Sequence, residues 1–215
     1  MINQIERWAP LGGVIFVVLL IIGLVLIGDH PDPDAVDGEI KDYLGDSGMH
    51  RNNIIGAYLW VLAGLALLWF LTHLRGVLRT AEGEPGTLSN LGFAAGLVFT
   101  VLLMAGGATI AAVAGAIEFR DAPITETDLV RTLPQMGYAM ILLGGGFAAV
   151  VLVLTTSIIS LQTGVLPQWL AWGGILAAIV LLFSVILLPM VALLIWVLAV
   201  SGVLLAREET TTAAA

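Results

Sequence analysis

Residues 132–206 run TLPQMGYAMILLGGGFAAVVLVLTTSIISLQTGVLPQWLAWGGILAAIVLLFSVILLPMVALLIWVLAVSGVLLA, without an Asp, Glu, Lys, Arg or His. The flanking charges are Arg131 and Arg207, so 75 consecutive residues carry no charged side chain. About 20 apolar residues in a helix cross the ~30 Å hydrocarbon core of a bilayer. The stretch therefore predicts three consecutive transmembrane helices and an all-α membrane fold.

The composition of the whole chain agrees with this prediction. Of 215 residues, 59% are hydrophobic and 11% are charged, whereas about 25% of a soluble domain is charged. A soluble globular domain and a disordered chain are therefore excluded. The 8 Lys and Arg face 16 Asp and Glu, which excludes nucleic acid as a partner because binding it requires a basic surface. The absence of Cys excludes disulfides, thiolate metal sites and cysteine nucleophiles.

Six apolar segments are long enough to cross a bilayer. They are residues 11–28, 54–72, 91–117, 136–160, 169–187 and 189–206, followed by a tail at 207–215. As one straight helix, residues 169–206 would measure about 57 Å, so two antiparallel helices fit the bilayer better. Pro189 suits the first turn of the second one. One kinked helix, with five crossings in all, is the alternative.

The first segment is predicted to stay in the mature protein. Glu6 and Arg7 precede an apolar run of 18 residues, which is long for a signal-peptide core of about 7–15 residues. No A-x-A cleavage pattern follows at Gly28. We therefore expect one membrane domain, residues 1–215, with six crossings.

The charge distribution predicts the orientation. With six crossings, four Lys or Arg residues fall on each side, but Arg75 and Arg79 lie in a short connection directly after the second segment. Positive charge in short loops favours the cytoplasmic side. The opposite side holds 11 of the 16 acidic residues. Both termini are therefore expected in the cytoplasm.

The two longer outer loops are each predicted to contain a short amphipathic helix. In the first, Val36, Ile40, Tyr43 and Leu44 share one helical face. In the second, Thr125 and Asp128 have nearly the spacing of a capping box ahead of Leu129 and Leu133. Pro134 is expected to end that helix before the fourth crossing. Each helix would lie on the membrane or over the mouth of the bundle.

The short inner connection also follows from the sequence. Gly83–Gly86, with Pro85, is expected to form the turn between the second and third crossings. Thr87 or Ser89 would then cap the third helix through its hydroxyl.

Polar groups within the crossings are few. No charged residue or histidine lies at mid-crossing, and such groups mark ion and proton pathways. Their absence argues against ion-coupled transport, proton pumping and a carboxylate-driven hydrolase. The remaining hydroxyls, among them Tyr58, Thr100 and Thr109, are expected to bond carbonyls of their own helices. Contact with a ligand is the alternative function for these three.

A polar cluster at the outer ends of the crossings is a second candidate site. His50 and Arg51 begin the second crossing, and Glu118 and Arg120 end the third. Interfacial pairing is the simplest interpretation, and a head-group or small-ligand site is the alternative. A further hypothesis brings His30 to His50, with Asp29, Asp32 and Asp34 nearby, as a divalent-cation site. His50 and His73 are about 35 Å apart along one helix, so they cannot share a haem or a metal.

Small residues spaced by four predict close helix packing, because helices in lipid associate through close backbone approach. The candidate packing residues are Gly92, Gly96, Gly107, Ala111, Gly115, Gly144, Ala148, Gly173 and Ala177. Contacts within the bundle are the main interpretation, and an oligomer face is the alternative. Four tryptophans, at 8, 69, 169 and 172, lie near predicted inner ends, as in the aromatic belt of membrane proteins.

The connection between the fourth and fifth crossings reads Thr163-Gly-Val-Leu-Pro-Gln-Trp-Leu-Ala-Trp172. It resembles a segment of uncharacterised bacterial membrane proteins with six spans, where the motif joins spans 4 and 5. The first loop, rich in Pro and Asp and followed by a short helix and His50-Arg51, resembles those proteins as well. The likeness covers most of the chain and implies six helices in a prokaryotic cytoplasmic membrane. That family is a domain of unknown function, so the resemblance implies no catalytic residue.

The sequence predicts a protein without catalytic activity or cofactor. No nucleophile elbow, zinc-protease motif, phosphate loop or dinucleotide fingerprint is present. The expected role is a multi-pass membrane protein that packs with itself or a partner membrane protein in envelope assembly or regulation. The alternative is binding or transport of an apolar or lipid-like molecule between the helices.

Overall fold

The computed structural model describes residues 8–28, 36–120, 127–183 and 189–213. Within these ranges all regular structure is helical, with a π-helical turn at Met140–Gly145. The α-helices are α1 Leu11–Ile27, α2 Asp37–Gly45, α3 Ser47–Glu82, α4 Thr87–Ile110, α5 Ala112–Arg120, α6 Thr127–Ala139, α7 Gly146–Thr163, α8 Gln168–Leu181 and α9 Met190–Ala213.

Among the described residues, four helices are long and apolar enough to cross a membrane. They are α3, α4, the continuous run Asp128–Thr163 through the π turn, and Met190–Arg207 within α9. Two further apolar helices are shorter: α1 has 17 residues and α8 has 14. At 1.5 Å per residue α8 measures about 21 Å, below the ~30 Å of a bilayer core. Large apolar side chains are exposed on all of these helices, as expected of surfaces that face lipid.

Helix α3 extends beyond the apolar segment 54–72 at both ends. Its 36 residues correspond to about 54 Å. The Asp46 side chain caps its start, accepting the Gly48 and Met49 N–H groups at 2.8 and 3.0 Å. The helix continues until Gly83, which has φ +77°, because no residue in between breaks it. Charged residues at both ends therefore belong to the same helix as the apolar segment.

The other helix ends differ from the sequence segments in a similar way. The segment 91–117 is divided at Ala111, between α4 and α5. Pro134 lies inside α6 and is buried, and it does not end the helix. Membrane helices tolerate Pro where neighbouring helices and local π adjustments satisfy the freed backbone groups, and a π turn begins six residues later. Toward the C-terminus, α9 continues through the expected tail to Ala213.

In the part of the chain that the structure describes, six helical columns form a closed ring. Helix α1 packs on α3, α3 on α4, α4 on the α6–α7 column, α7 on α8, α8 on α9, and α9 on α1. Neighbours are antiparallel: Gly23 meets Gly56, and Gly12 meets Ala66. Helices α8 and α9 also lie side by side, since Val180 shares a groove with Ala192. Residues 169–206 are thus not one kinked helix.

The ring has two distinct ends. We call the end with the turns Gly83–Gly86 and Gly164–Pro167 the hairpin end; Trp8 and the C-terminal end of α9 lie there too. The opposite end, with α2, α5, the start of α6 and the start of α9, is the loop end. At the hairpin end, Gly164 has φ +70° and terminates α7, and Pro167 precedes α8.

The turn at the hairpin end uses a carboxylate as its cap. The Glu82 carboxylate accepts the N–H groups of Leu88 and Ser89, both at 2.8 Å. The Ser89 hydroxyl instead donates to the Gly86 carbonyl at 3.1 Å, and the N-cap residue of α4 is Gly86, which has no side chain to supply a cap. The cap expected from Thr87 or Ser89 is therefore supplied from the preceding helix, because the tight turn brings Glu82 to the free N–H groups.

A small second core joins the helices at the loop end. Ile40 and Tyr43 of α2, Val113 of α5 and Val130 of α6 are buried against one another. The two amphipathic helices therefore bury side chains in a common cap over the bundle. Val36 and Leu129, expected on the apolar faces, are exposed. Val36 precedes α2, which begins at Asp37, and on α6 Val130 takes the inward position in place of Leu129.

Candidate functional site

An apolar cavity of about 350 Å³ lies inside the loop half of the ring. Five elements enclose it: α1, α3, α4, α9, and the junction of α6 with the π turn. Its described lining residues are Leu20, Leu24, Trp60, Phe99, Leu103, Tyr138, Ile141, Leu142, Met190, Val191, Leu193 and Leu194. Pockets for small molecules span about 300–1,000 Å³, so the cavity is at the lower end of that range.

Trp60 forms one wall of the cavity and is held by two glycines. A Cβ on Gly23 would lie 2.5 Å from the indole Cδ1, and one on Gly107 would lie 3.0 Å from Cε3. The indole Nε1 donates to the Leu20 carbonyl at 3.1 Å. The ring is thus fixed between α1 and α4 with its N–H satisfied, and it presents an apolar surface to the cavity.

Phe99 forms a second aromatic wall at the middle of α4. Its ring meets the ring of Phe16 edge-on, with centroids 6.4 Å apart. A Cβ on Gly145 would lie 3.3 Å from the Phe99 Cδ2. The π turn therefore approaches this ring closely because it carries a glycine at the point of contact.

The π turn supplies a further wall of the cavity. Ile141 is packed over Gly106, where a Cβ would lie 2.6 Å from the isoleucine Cγ1. Nearby, Gly137 and Gly106 meet backbone to backbone, with a Cβ on either residue 2.6–2.7 Å from the other's carbonyl oxygen. Leu142, the next residue of the turn, also lines the cavity. π turns in α-helices are frequent at functional sites.

The lining residues divide into a buried floor and a more open rim. Trp60, Phe99 and Leu103 are at most 3% exposed. Leu24 and Tyr138 are half-buried, and Val191 is 46% exposed. The cavity thus closes toward the centre of the ring and opens toward the outside at the loop half.

The hydroxyls considered as ligand contacts lie elsewhere. Tyr58 is 63% exposed on the outer surface of α3. The Thr100 hydroxyl donates to the Gly96 carbonyl at 2.8 Å, and that of Thr109 donates to Ala105 at 2.9 Å. These two bonds follow the expected back-bonding pattern, and none of the three residues lines the cavity.

The polar cluster at the loop end is divided by burial. His50 is buried by α2, with its ring 5.5 Å from that of Tyr43. Asn53 donates through Nδ2 to the Tyr43 hydroxyl at 2.7 Å. Burial raises the pKa of Tyr43 above its ordinary value, and the bond from Asn53 offsets part of that effect.

The charged members of the cluster remain outside. Arg51, Glu118 and Arg120 are exposed, and within the described ranges no ion pair joins them. The His50 Nε2 is buried without a hydrogen-bond partner. The structure thus separates His50 from the three residues with which the sequence grouped it, because α2 folds over one face of α3.

The hypothetical cation site falls largely outside the described residues, since His30, Asp29, Asp32 and Asp34 lie in residues 29–35. Among the side chains that the structure does describe, no three His, Asp or Glu residues are grouped so as to hold a metal ion.

Most of the small residues chosen for packing face a neighbouring helix. A Cβ on Gly92 would meet Thr155, one on Gly96 would meet Leu71, and one on Gly144 would meet Leu102, all within 2.9 Å. Gly107 holds Trp60, as described above. Ala111 and Ala177 are buried, and Ala148 is half-buried against the core.

Two of the chosen glycines are placed differently. A Cβ on Gly173 would meet nothing within 4 Å, and one on Gly115 would reach only Phe119 of its own helix. The neighbouring Gly174 makes the close contact, with the Ser157 hydroxyl. Gly12, Gly23, Gly56, Gly106 and Gly137 make the backbone crossings and were not singled out. For the crossing of α1 with α3, the sequence did contain a signal: Gly12 and Gly23 are about three turns apart and lie on one face of α1.

Two other depressions lie on the surface. One, of about 250 Å³, runs between α8 and α9 beside Gly173. The other, of about 670 Å³, is a wide groove at the hairpin end beside Trp69 and His73. Trp8, Trp69, Trp169 and Trp172 are all exposed, as tryptophans at a membrane interface would be.

Comparison of the chain with known protein families, with curated proteins and with solved structures gave no match.

Proposed function

We propose that this protein is a non-catalytic, multi-pass membrane protein that binds an apolar molecule in the cavity between its helices. The cavity enclosed by Trp60, Phe99 and the π turn carries this proposal. Glycines at 23, 107 and 145 hold its aromatic walls in place, so the space is formed before a ligand enters. Ligand sites in proteins are usually preformed in this way.

The lining favours binding over chemistry. Among its described residues, only Trp60 and Tyr138 carry an N–H or O–H group, and the Trp60 N–H is already bonded to Leu20. General acid–base or nucleophilic catalysis needs a titratable or nucleophilic group within reach of the substrate. Tyr138 is the one such group among the described walls, which otherwise offer contacts to hydrocarbon.

We place six crossings in the bilayer, with both termini in the cytoplasm of a prokaryotic cell. Helix α1 measures about 26 Å, and tilt or local thinning of the bilayer accommodates short spans at modest cost. Closure of the ring through α1 and α8 supports counting them as crossings. Arg75 and Arg79 at the hairpin end support its cytoplasmic placement. The resemblance to bacterial six-span proteins supports the choice of membrane.

Association with another copy or with a partner membrane protein is the second candidate function. The groove between α8 and α9 favours it, because Gly173 there faces open space and Ala177 and Ala192 are small. Small residues permit the close approach of another helix in lipid. Crosslinking in native membranes through cysteine at Gly173 tests it: a dimer band supports association, and a monomer at all crosslinker concentrations contradicts it.

The binding proposal is tested with Trp60 as a fluorescent reporter. In a variant whose other five tryptophans are replaced by Phe, bromobenzene is titrated as an apolar quencher. Saturable quenching of Trp60 is expected, and Leu103→Phe should reduce it by filling the cavity. Leu65→Phe is the matched control, because Leu65 lies on the exposed side of α3. Linear quenching that is the same in all three proteins would contradict a binding site.

A further inference from the structure

The position of the cavity along the bundle points to the source of its ligand. Phe99, at the floor, lies 11 residues before the end of α4 at Ile110, a distance of about 16 Å along the helix. At the other limit, Leu24 is three residues from the end of α1, and Met190 begins α9. The cavity thus runs from the loop end to mid-bundle, close to half of a ~30 Å hydrocarbon core.

The walls indicate the chemistry of the ligand. Leucine, isoleucine, valine, methionine and aromatic side chains form the described lining, and no charged residue is among them. An unpaired polar group enters such surroundings only at a large cost in free energy. The buried part of the ligand is therefore hydrocarbon.

The volume limits how much hydrocarbon fits. A methylene group takes roughly the space of one water molecule in the liquid, about 30 Å³. The cavity of about 350 Å³ therefore holds one chain of about a dozen carbons. A complete lipid with two tails and a head group is too large.

The rim shows where the rest of the ligand stays. Leu20, Leu24, Tyr138, Leu142 and Leu194 are half-buried and Val191 is exposed. Of these, Leu24 and Val191 lie within three residues of the helix ends at the loop end. A chain that enters past them places its end against Phe99 and Leu103. Its polar head then remains at the loop end, outside the apolar walls.

We propose that the cavity takes up one hydrocarbon tail of a membrane lipid from the leaflet at the loop end, while the head group stays at the rim. This inference rests on the proposed binding function and adds the ligand class, the chain length and the leaflet. A lipid tail is already in the bilayer at the depth of the rim, so no passage through water is needed.

Chain length is tested first, in the variant with Trp60 as its only tryptophan. Lysophosphatidylcholines that carry bromine at the end of a saturated chain are added to the purified protein. We expect quenching to increase with chain length up to about 12 carbons and then to level off or fall. Leu103→Phe should shift the preferred length to shorter chains, and Leu65→Phe should leave it unchanged. If Leu103→Phe does not fold, Leu193→Phe fills the same space from α9.

The leaflet is tested in vesicles in which a protease-accessible tag reports the orientation of each preparation. Brominated lysolipid added from outside should quench Trp60 at once where the loop end faces outward. Quenching should be several-fold slower where the hairpin end faces outward, because the lysolipid must then cross the bilayer. Equal rates in both orientations would overturn the choice of leaflet.

The outcomes also separate this inference from the proposal on which it rests. Saturable quenching by bromobenzene without quenching by any lysolipid would overturn the lipid-tail inference and leave apolar binding intact. The absence of quenching by either probe would overturn both. Quenching by both, with no dependence on chain length, would overturn the stated length limit.

Discussion

The two halves of the ring are built from the same kinds of residue and differ in how they fill space. In the hairpin half, Phe70, Leu71 and Leu74 are at most 1% exposed, and α9 closes against α1 where Gly13 meets Ser201. In the loop half, Trp60 and Phe99 are equally inaccessible to the outside, yet they border a cavity. Hydrophobicity alone therefore does not determine whether a membrane bundle is solid. The difference arises from glycines that fix large rings in place and from the π turn that forms one wall.

Substitution of a glycine at which two helices cross is expected to have the largest effect on the free energy of unfolding. Gly56→Val would place a Cβ 2.7 Å from the Gly23 carbonyl, which forces α1 away from α3. Overpacking of this kind, with backbone displaced, should lower the free energy of unfolding by about 3–5 kcal/mol. Urea unfolding in detergent measures it.

Gly76→Val is the control for that substitution, because it lies on the same helix and its Cβ would meet nothing within 4 Å. Its stability should equal or slightly exceed that of the wild type, since valine favours helix more than glycine does. Equal losses in the two variants would mean that close approach of α1 and α3 is not what the bundle requires.

Phe70 and Phe99 allow a direct comparison of the two halves. Phe70→Ala leaves a new void in the solid half and should cost about 4 kcal/mol. Phe99→Ala should cost about 2 kcal/mol, because its ring already lacks neighbours on the side of the cavity. Thermal or urea unfolding of both variants in the same detergent measures the difference. A larger loss at Phe99 would show that the cavity is filled in the folded protein.

Enlarging a leucine should have opposite effects in the two halves. Leu103→Phe adds atoms to the cavity and should raise the free energy of unfolding by about 1 kcal/mol. Leu71→Phe should lower it by about 1–3 kcal/mol, because Leu71 is already in close contact with Gly96. Differential scanning calorimetry follows both changes. The same sign for both variants would contradict a solid hairpin half and a hollow loop half.

The smallest effect is expected at the turn of the hairpin end. Glu82→Ala removes the acceptor of two backbone N–H groups and should lower the Tm by less than any destabilising substitution above. Glu84→Ala is the control, since Glu84 pairs only with Arg79 at the exposed surface, where ion pairs contribute little. Equal Tm values for the two variants would show that the cap is dispensable.

Much of the fold could be predicted from the sequence, because the bilayer limits what an uncharged stretch can form. Residues 132–206 predicted helices, and the connection predicted between the fourth and fifth crossings contains the observed turn at Gly164 and Pro167. Helix ends were less predictable: residues 47–53 are mostly polar, yet they belong to α3, because hydropathy marks the apolar part of a helix and not its full length.

The cavity could not be predicted, for a different physical reason. Helices that are apolar on all sides carry little information about which face is inside. Gly173 and Gly174 both have an alanine four residues later, and only the second contacts another helix closely. Gly107 was singled out by its spacing, but nothing in the sequence indicates that its partner is Trp60, 47 positions away. The sequence predicted His50 at the interface, because nothing in it indicates that α2 folds over this residue and buries it.

The π turn gives the chain one residue more than an uninterrupted α-helix of the same length would contain. Each residue of an α-helix turns the chain by about 100°. This single residue therefore sets the rotation of α6 relative to α7. Deleting Leu143 would remove only one exposed apolar side chain, but it would rotate Tyr138 out of the cavity wall and Val130 out of the cap. The number of residues in the π turn, rather than the identity of any side chain there, therefore determines whether α6 presents Val130 to the cap and Tyr138 to the cavity.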